Sequence, residues 1–278
     1  MQKKIILPNK RNLKFYKKYD INTFLLPLEG YSIGCDVYFD VNTINQYAKD
    51  YEVYVFMNKL LHRDIESFRT IYPKFDKSIK FVIEDIGLTD VIDKDRFVLY
   101  ENHILSNYKA INYLDKLGIN NFVINNDLTI DEIKEIIKRT NADLYYFYVS
   151  KNMIMYSRRN LVSSFNDHYK INKDKDSYVL DEISTHKILN IKEEMSGSTV
   201  RYSKIFCASK YLKDMNELFL IYDFSGIDEL NEKMILENLD NEKLCDLIDS
   251  DYYFLENDIK YKVGDIKWNM NYYYLLEI

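Results

Sequence analysis

The 278-residue sequence predicts an α/β fold: a TIM-type (β/α) barrel, regular or irregular, with a small β insert and C-terminal strands. Three observations carry this. Short, almost continuously apolar runs recur along the chain, as expected of parallel strands covered on both faces. Helix signals fall between them, which makes βα units. Polar residues close one run after another, the pattern of a barrel whose strand ends form a functional rim. A doubly wound open sheet is the alternative reading of the same alternation.

The strand runs are Thr23–Leu28, Glu52–Met57, Lys80–Ile83, Phe97–Tyr100, Asn121–Ile124, Asp143–Tyr148 and, later, Phe219–Tyr222. A helix is predicted over His62–Tyr72, with Ile65, Phe68 and Ile71 on one face and Pro73 as its stop. Asn107 caps a second, with apolar Ala110, Ile111, Leu114 and Leu117 and Gly118 just past its end. Thr129 and Glu132 form a capping box ahead of Ile133, Ile136 and Ile137. Ile227–Leu239 reads as a helix after the late strand. The polar stretch 166–178 reads as a loop, and Tyr178–Tyr202 as strands around a Ser196-Gly197-Ser198 turn. The chain is thus expected to be one domain. Its barrel core spans about 20–240, its loop and β insert about 166–205, and its C-terminal packing segment about 250–278.

Apolar residues at 47% and charged residues at 29% exclude a disordered chain. The net charge of −6 is uneven: residues 1–18 hold seven Lys or Arg and no acid, which leaves 31 basic against 44 acidic residues, a net −13, in the rest. Such a body suits long nucleic acid poorly, so RNA is disfavoured as a partner, and the basic start reads as a solvated strand and helix or as a nucleic-acid arm. No apolar run reaches the roughly 20 residues that span a bilayer, and none resembles a secretory leader, so no membrane association and a cytoplasmic location are expected. Cys35, Cys207 and Cys245 lie far apart without metal spacing, so reduced thiols are expected, with neither a disulfide framework nor a zinc site.

Function is sought at the strand ends, where Glu29, Asn58, Glu84-Asp85, Glu101 to His103, Asn125 to Asp127 and Asp223 stand. Adjacent carboxylates serve as acid and base when burial drives their pKa values apart. Neighbours on a strand point to opposite faces, however, so Glu84 and Asp85 converge only where the strand has ended. A metal held by Glu84, Glu101 and His103 lacks a diagnostic spacing, and none is expected; His62, His168 and His186 receive no catalytic role. No GxGxxG, GxxxxGK[ST] or GxSxG motif is present. After the strand at Asp143 comes a loop with Tyr156, Ser157, Arg158 and Arg159, whose paired guanidiniums suit a carboxylate or phosphate. The expected working surface is Asn58, Glu84, Asp85, His103, Asn126, Tyr156, Ser157, Arg158 and Arg159, with Arg159 foremost. The competing role for Arg159 is a buried ion pair with Glu84 or Asp85.

The segment from Phe147 through Tyr156, Ser157, Arg159 and Leu161 to Ser163 resembles the signature of the collagenase-like peptidase family U-32. Val53–Asn58, Glu84–Leu88, Asn107–Gly118 with Phe122–Ile124, Asp127–Thr129 with Glu132 and Ile133, Ala208–Leu212 and Phe219–Phe224 resemble further family segments in the right order, over roughly 20–230. The resemblance carries over Asn58, Asp85, Tyr156, Ser157 and Arg159 as matching positions. The departures are Met153 and Asn160 where the signature has cysteines, Tyr145 and Ser150 for its acid and glycine, and Arg158 for the glycine before the arginine.

Family members that hydroxylate RNA bases or quinone precursors hold an iron–sulfur cluster on such cysteines. Met and Asn cannot replace thiolates, so a cluster-free member with no cofactor is expected. The resemblance then implies a barrel that binds or processes a peptide or other polar or anionic ligand at its rim, peptidase-like or hydrolase-like if catalytic. A non-catalytic binding or partner subunit is the alternative, and cluster-dependent hydroxylation a third.

Overall fold

The computed structural model describes residues 3–101, 105–171, 174–182 and 187–256. Seven strands pair in parallel, each with the next in the chain: β1 (Lys4–Leu7), β2 (Thr23–Pro27), β3 (Glu52–Met57), β4 (Lys80–Ile83), β5 (Phe97–Tyr100), β6 (Asn121–Val123) and β7 (Asp143–Ser150). Then comes a four-stranded antiparallel sheet of β8 (Met153–Ser157), β9 (Ser177–Glu182), β10 (Lys187–Glu194) and β11 (Gly197–Tyr202), in the order β8-β11-β10-β9. A short β12 (Ile205–Cys207) lies antiparallel on the end of β7. Finally β13 (Leu218–Asp223) pairs in parallel with both β1 and β7 and closes an eight-stranded barrel.

Strand alternation divides the apolar residues between two layers. Ile6, Phe24, Val55, Phe81 and Leu99 point outward into the main core, under the helices. Leu25, Tyr54, Phe56, Val82, Val98, Tyr145, Phe147 and Ile221 fill the lumen. The barrel is therefore packed, and space opens only at its ends.

The covering helices are α1 (Val41–Tyr47), α2 (Asp64–Ile71), α3 (Tyr108–Lys116) and α4 (Ile130–Arg139), then α5 (Leu161–Tyr169) in the insert, and α6 (Ser209–Leu212) and α7 (Glu229–Glu237) around the last strand. Both predicted caps form: Asn107 accepts from the amides of Lys109 and Ala110, and Thr129 exchanges hydrogen bonds with Glu132. Between β4 and β5 the chain makes 3-10 turns, at Ile86–Asp90 and Lys94–Arg96, in place of an α-helix, so the barrel is irregular there.

Four expectations change. The solvated N-terminal strand is instead β1, with Ile5, Ile6 and Leu7 buried because β2 and β13 flank it. Its cations meet acids of the body: Lys3 pairs with Glu52, Lys4 with Asp240 and Lys10 with buried Glu232. The loop expected over 166–178 begins inside α5, whose first turn is capped from a distance when Glu193 accepts from the Val162 and Ser163 amides. Local sequence cannot reveal a cap brought by tertiary contact. The insert accordingly starts at Met153, earlier than 166. Cys207 and Cys245 form a disulfide, since the fold sets β12 beside the turn of helix at Leu244–Leu247; Cys35 alone is a free, buried thiol. The C-terminal strands expected over 259–278 lie outside the described residues.

Gly197 lets β11 run close against the end of β8 within the insert's sheet. It sits at φ +134 where β10 turns into β11, and a Cβ there would run into the Ser157 carbonyl and come within 2.9 Å of the Arg158 Cα.

Candidate functional site

The lumen alternation continues past the apolar strand residues and becomes polar. On β3 the inward series is Tyr54, Phe56 and then Asn58; on β4 it is Val82 and then Glu84; on β5, Val98 and then Tyr100; on β13, Ile221 and then Asp223. These ends open into a cavity of about 480 Å³ at the C-terminal mouth, closed on one side by β8 and β11 of the insert. Its floor is aromatic. The rings of Phe56, Tyr100 and Phe147 lie 5.3–6.3 Å apart between centroids.

Glu84 is the site's most perturbed carboxyl. Its amide is held by the Met57 carbonyl at 3.0 Å, which fixes the strand end, and its Oε2 is buried with no hydrogen-bond partner among the described residues. Burial, reinforced by Glu101 and Asp85, pushes the carboxyl up to about 8, so most copies are protonated at neutral pH. Asp85 turns to the other face, as the alternation requires. It accepts from the Leu61 amide at 2.7 Å and the Gly87 amide at 2.9 Å, capping the turn that follows.

Other expected residues have structural duties. Asn58 is buried, accepts from the Ile33 amide at 2.9 Å and donates to the Ile33 carbonyl at 3.0 Å, fastening the loop after β2. Asn126 donates to the Phe147 carbonyl at 2.9 Å. Tyr156 lines the cavity half-buried, and burial raises its hydroxyl pKa against the opposing pull of Arg158. Ser157 accepts from the Arg159 amide at 3.2 Å.

The expected site therefore divides. Asn58, Glu84, Asn126 and Tyr156 share the mouth cavity; Asp85, Ser157, Arg158 and Arg159 are not among its lining residues. Arg158 instead borders an open groove with His62, Arg63 and Asp64. Arg159 is exposed at the start of α5, and no ion pair of its side chain with Glu84 or Asp85 forms. Both arginines follow β8, in the insert. His103 lies outside the described residues.

Arg201, on β11, is the residue that sequence reasoning missed. Its guanidinium reaches the loop after β2, the residue after β7 and the end of β13. Nη1 donates to the Lys151 carbonyl at 2.7 Å and sits 3.3 Å from Asp223 Oδ2, and Nη2 donates to the Gly34 carbonyl at 2.9 Å. Burial works against its charge, but Asp223 and the other groups around it hold its pKa above the ordinary arginine value. The one available signal was an arginine inside a strand pattern, between Val200 and Tyr202.

The donor chemistry does not fit an iron–sulfur cluster. Met153 lines the cavity and Asn160 precedes α5, and neither is a thiolate. Cys207 and Cys245 are consumed by their bridge, while burial keeps Cys35 a neutral thiol with its pKa driven well up. Among the described residues no group of three His, Cys, Asp or Glu side chains is placed to hold a metal ion. No helix among them is long and apolar enough to cross a membrane.

Residues 39–232 match the model of the protein family described as Peptidase family U32. Two solved structures are similar. One is the U32 peptidase Mk0906, 15% identical over 55% of this chain and 70% of that one, with a TM-score of 0.42. The other is the spore cortex-lytic enzyme SleL of Bacillus megaterium QM B1551, 10% identical over 85% of this chain and 72% of that one, with a TM-score of 0.37. No curated protein matches the chain.

Proposed function

The chain belongs to peptidase family U32, and on that premise we propose that it binds and processes a short peptide in the mouth cavity, with Glu84 as the proton-transfer group. The observation that carries this is Glu84 itself: a carboxyl at the end of a barrel strand, lining a cavity, with one oxygen unpartnered and its pKa near 8. A carboxyl poised there can both take and give a proton near neutral pH. In amide hydrolysis a water oxygen bonds to the carbonyl carbon while the Glu84 carboxylate takes the water proton. The C–N bond then breaks, and Glu84 returns that proton to the leaving nitrogen. The aromatic floor supplies apolar contact for the peptide, and the insert limits access of bulk water.

The base step needs ionised Glu84, so kcat/KM for a cleaved peptide is expected to rise with pH and level off above about 8. Glu84→Gln should remove that rise and lower kcat by roughly a hundredfold or more. Mass spectrometry of a mixed peptide library identifies a cleaved sequence and then follows its rate. An unchanged rate and pH profile in Glu84→Gln would exclude this role.

A second reading, a binding subunit without catalysis, draws on the structural duties of Asn58, Asn126 and Asp223, which leave few polar groups for chemistry. It is favoured if the library binds and nothing is cleaved.

A further inference from the structure

We propose that the open groove beside the mouth holds a carboxylate between the guanidiniums of Arg63 and Arg158, and that this carboxylate is the free C-terminus of the peptide lying in the mouth cavity. This names the substrate class of that cavity and rests on the peptide reading above. Arg159, exposed at the start of α5, does not line the groove.

Three features point there. First, the groove measures about 700 Å³ and is lined by His62, Arg63, Asp64 and Arg158, a size at which proteins take small ligands. Both arginines are exposed, and among the described residues neither forms an ion pair, with Asp64 or any other acid. Asp64 opens α2, where the helix dipole already favours its negative charge. A planar guanidinium presents parallel N–H donors that match the two oxygens of a carboxylate. Second, the backbone that carries each arginine is anchored. Asp85 accepts from the Leu61 amide at 2.7 Å and so ties down the segment two residues before Arg63. Gly197 lies so close to Arg158 that a Cβ on it would come within 2.9 Å of the Arg158 Cα. Backbone set in advance lowers the entropic cost of engaging a ligand.

Third, the groove and the mouth are neighbours along two segments. Leu60 lines the mouth cavity, and His62, two residues on, lines the groove; Tyr156 lines the cavity, and Arg158, two residues on, lines the groove. Two residues of chain span at most about 7 Å. Tyr156 stands between the two spaces: its hydroxyl feels the charge of Glu84 from the cavity and those of Arg158 and Asp64 from the groove. A peptide seated over the aromatic floor therefore needs about two further residues to bring its end to the arginines. Leu60 and Met155, exposed apolar residues of the cavity wall beside these positions, give those residues apolar cover.

The test is calorimetric binding of three peptides to the full chain: acetyl-Leu-Ala-Leu as its free acid, the same peptide as its C-terminal amide, and acetyl-Leu-Ala-Asp-amide. At low salt the free acid is expected to bind about fivefold tighter than the amide, the gain that exposed ion pairs give, and the advantage should shrink as salt is added. Arg63→Gln and Arg158→Gln should each remove most of that advantage and leave the amide peptide unchanged, whereas Arg159→Gln should leave both affinities as they are. Equal affinity for the acid and the amide, or an advantage that survives both arginine variants, would overturn the groove assignment and leave the peptide cavity standing. An aspartyl amide that binds as tightly as the free acid would overturn the C-terminus as the source of the carboxylate. Failure of all three to bind would overturn the peptide cavity along with the groove. Preference for the free acid without cleavage would uphold the groove and favour the binding-subunit reading of the mouth.

Discussion

Arg201 and Asp223 join the insert to the barrel. Nη1 of Arg201 lies 3.3 Å from Oδ2 of Asp223, whose other oxygen accepts from the Ser225 amide at 2.8 Å. Both side chains are largely buried, at 13% and 6% exposure. The pair stands where β11 crosses the end of β13, so it fixes one wall of the mouth cavity against the other.

Removing one partner leaves the other charged and buried. Arg201→Met is therefore expected to cost about 3 kcal/mol or more, and the loss should be clear in urea unfolding. Arg201→Lys should recover little, because one ammonium cannot reach Asp223 and the Gly34 and Lys151 carbonyls together. Adding Asp223→Asn to Arg201→Met should restore part of the loss. A single Arg201→Met variant as stable as the parent would show that the insert is held elsewhere.

Glu84 makes stability depend on pH in the direction opposite to an ordinary surface carboxylate. Its pKa is raised from 4.5 to about 8 in the folded chain, so between those values the native state holds a proton that the unfolded state has released. Stability is then fully present below pH 4.5 and is lost as pH rises toward 8. Glu84→Gln has no such proton to lose. It should unfold at a higher temperature than the parent at pH 7.5, the stability difference being on the order of 4 kcal/mol at most, and the two should converge near pH 4.5. Scanning calorimetry at several pH values measures this. A constant difference across that range would show that Glu84 does not titrate in the interior.

The disulfide between Cys207 and Cys245 closes a loop around β13 and α7. Restricting the unfolded chain over that sequence separation of 38 is worth about 3–4 kcal/mol by the chain-entropy estimate. Reduction should lower the melting temperature, and Cys207→Ser with Cys245→Ser should match the reduced parent. Thiol titration in denaturant should count one free thiol before reduction and three after. Three before reduction would mean that the bridge does not form.

The barrel was legible because its strands announce themselves locally. Glu52–Met57, Lys80–Ile83 and Phe97–Tyr100 have the same boundaries in the sequence reading and in the structure. The N-terminal strand was read as solvated, since a run of Ile5, Ile6 and Leu7 carries no sign that β2 and β13 will cover both its edges. Glu84 was legible as a strand-end carboxylate, and alternation correctly separated it from Asp85. Arg201 was not, because its value comes from partners at Gly34, Lys151 and Asp223 that only the closed barrel assembles. The placement of Arg158 and Arg159 was not legible either, because the path of the insert, which no local spacing reveals, sets where that loop points.

The closing strand comes from beyond the insert. β7 and β13 are neighbours in the ring, yet residues 151–217 lie between them, and β13 also pairs with the outer edge of β1. A chain emerging from the ribosome therefore carries seven strands as an open, curved ribbon with two bare edges until residue 223 has been made. Such edges invite pairing with other chains, and long-range closure of this kind is slow. Synthesis halted anywhere in the insert would leave a ribbon prone to aggregate rather than a smaller working barrel. The mouth and the seam of the barrel thus come into being in one late event.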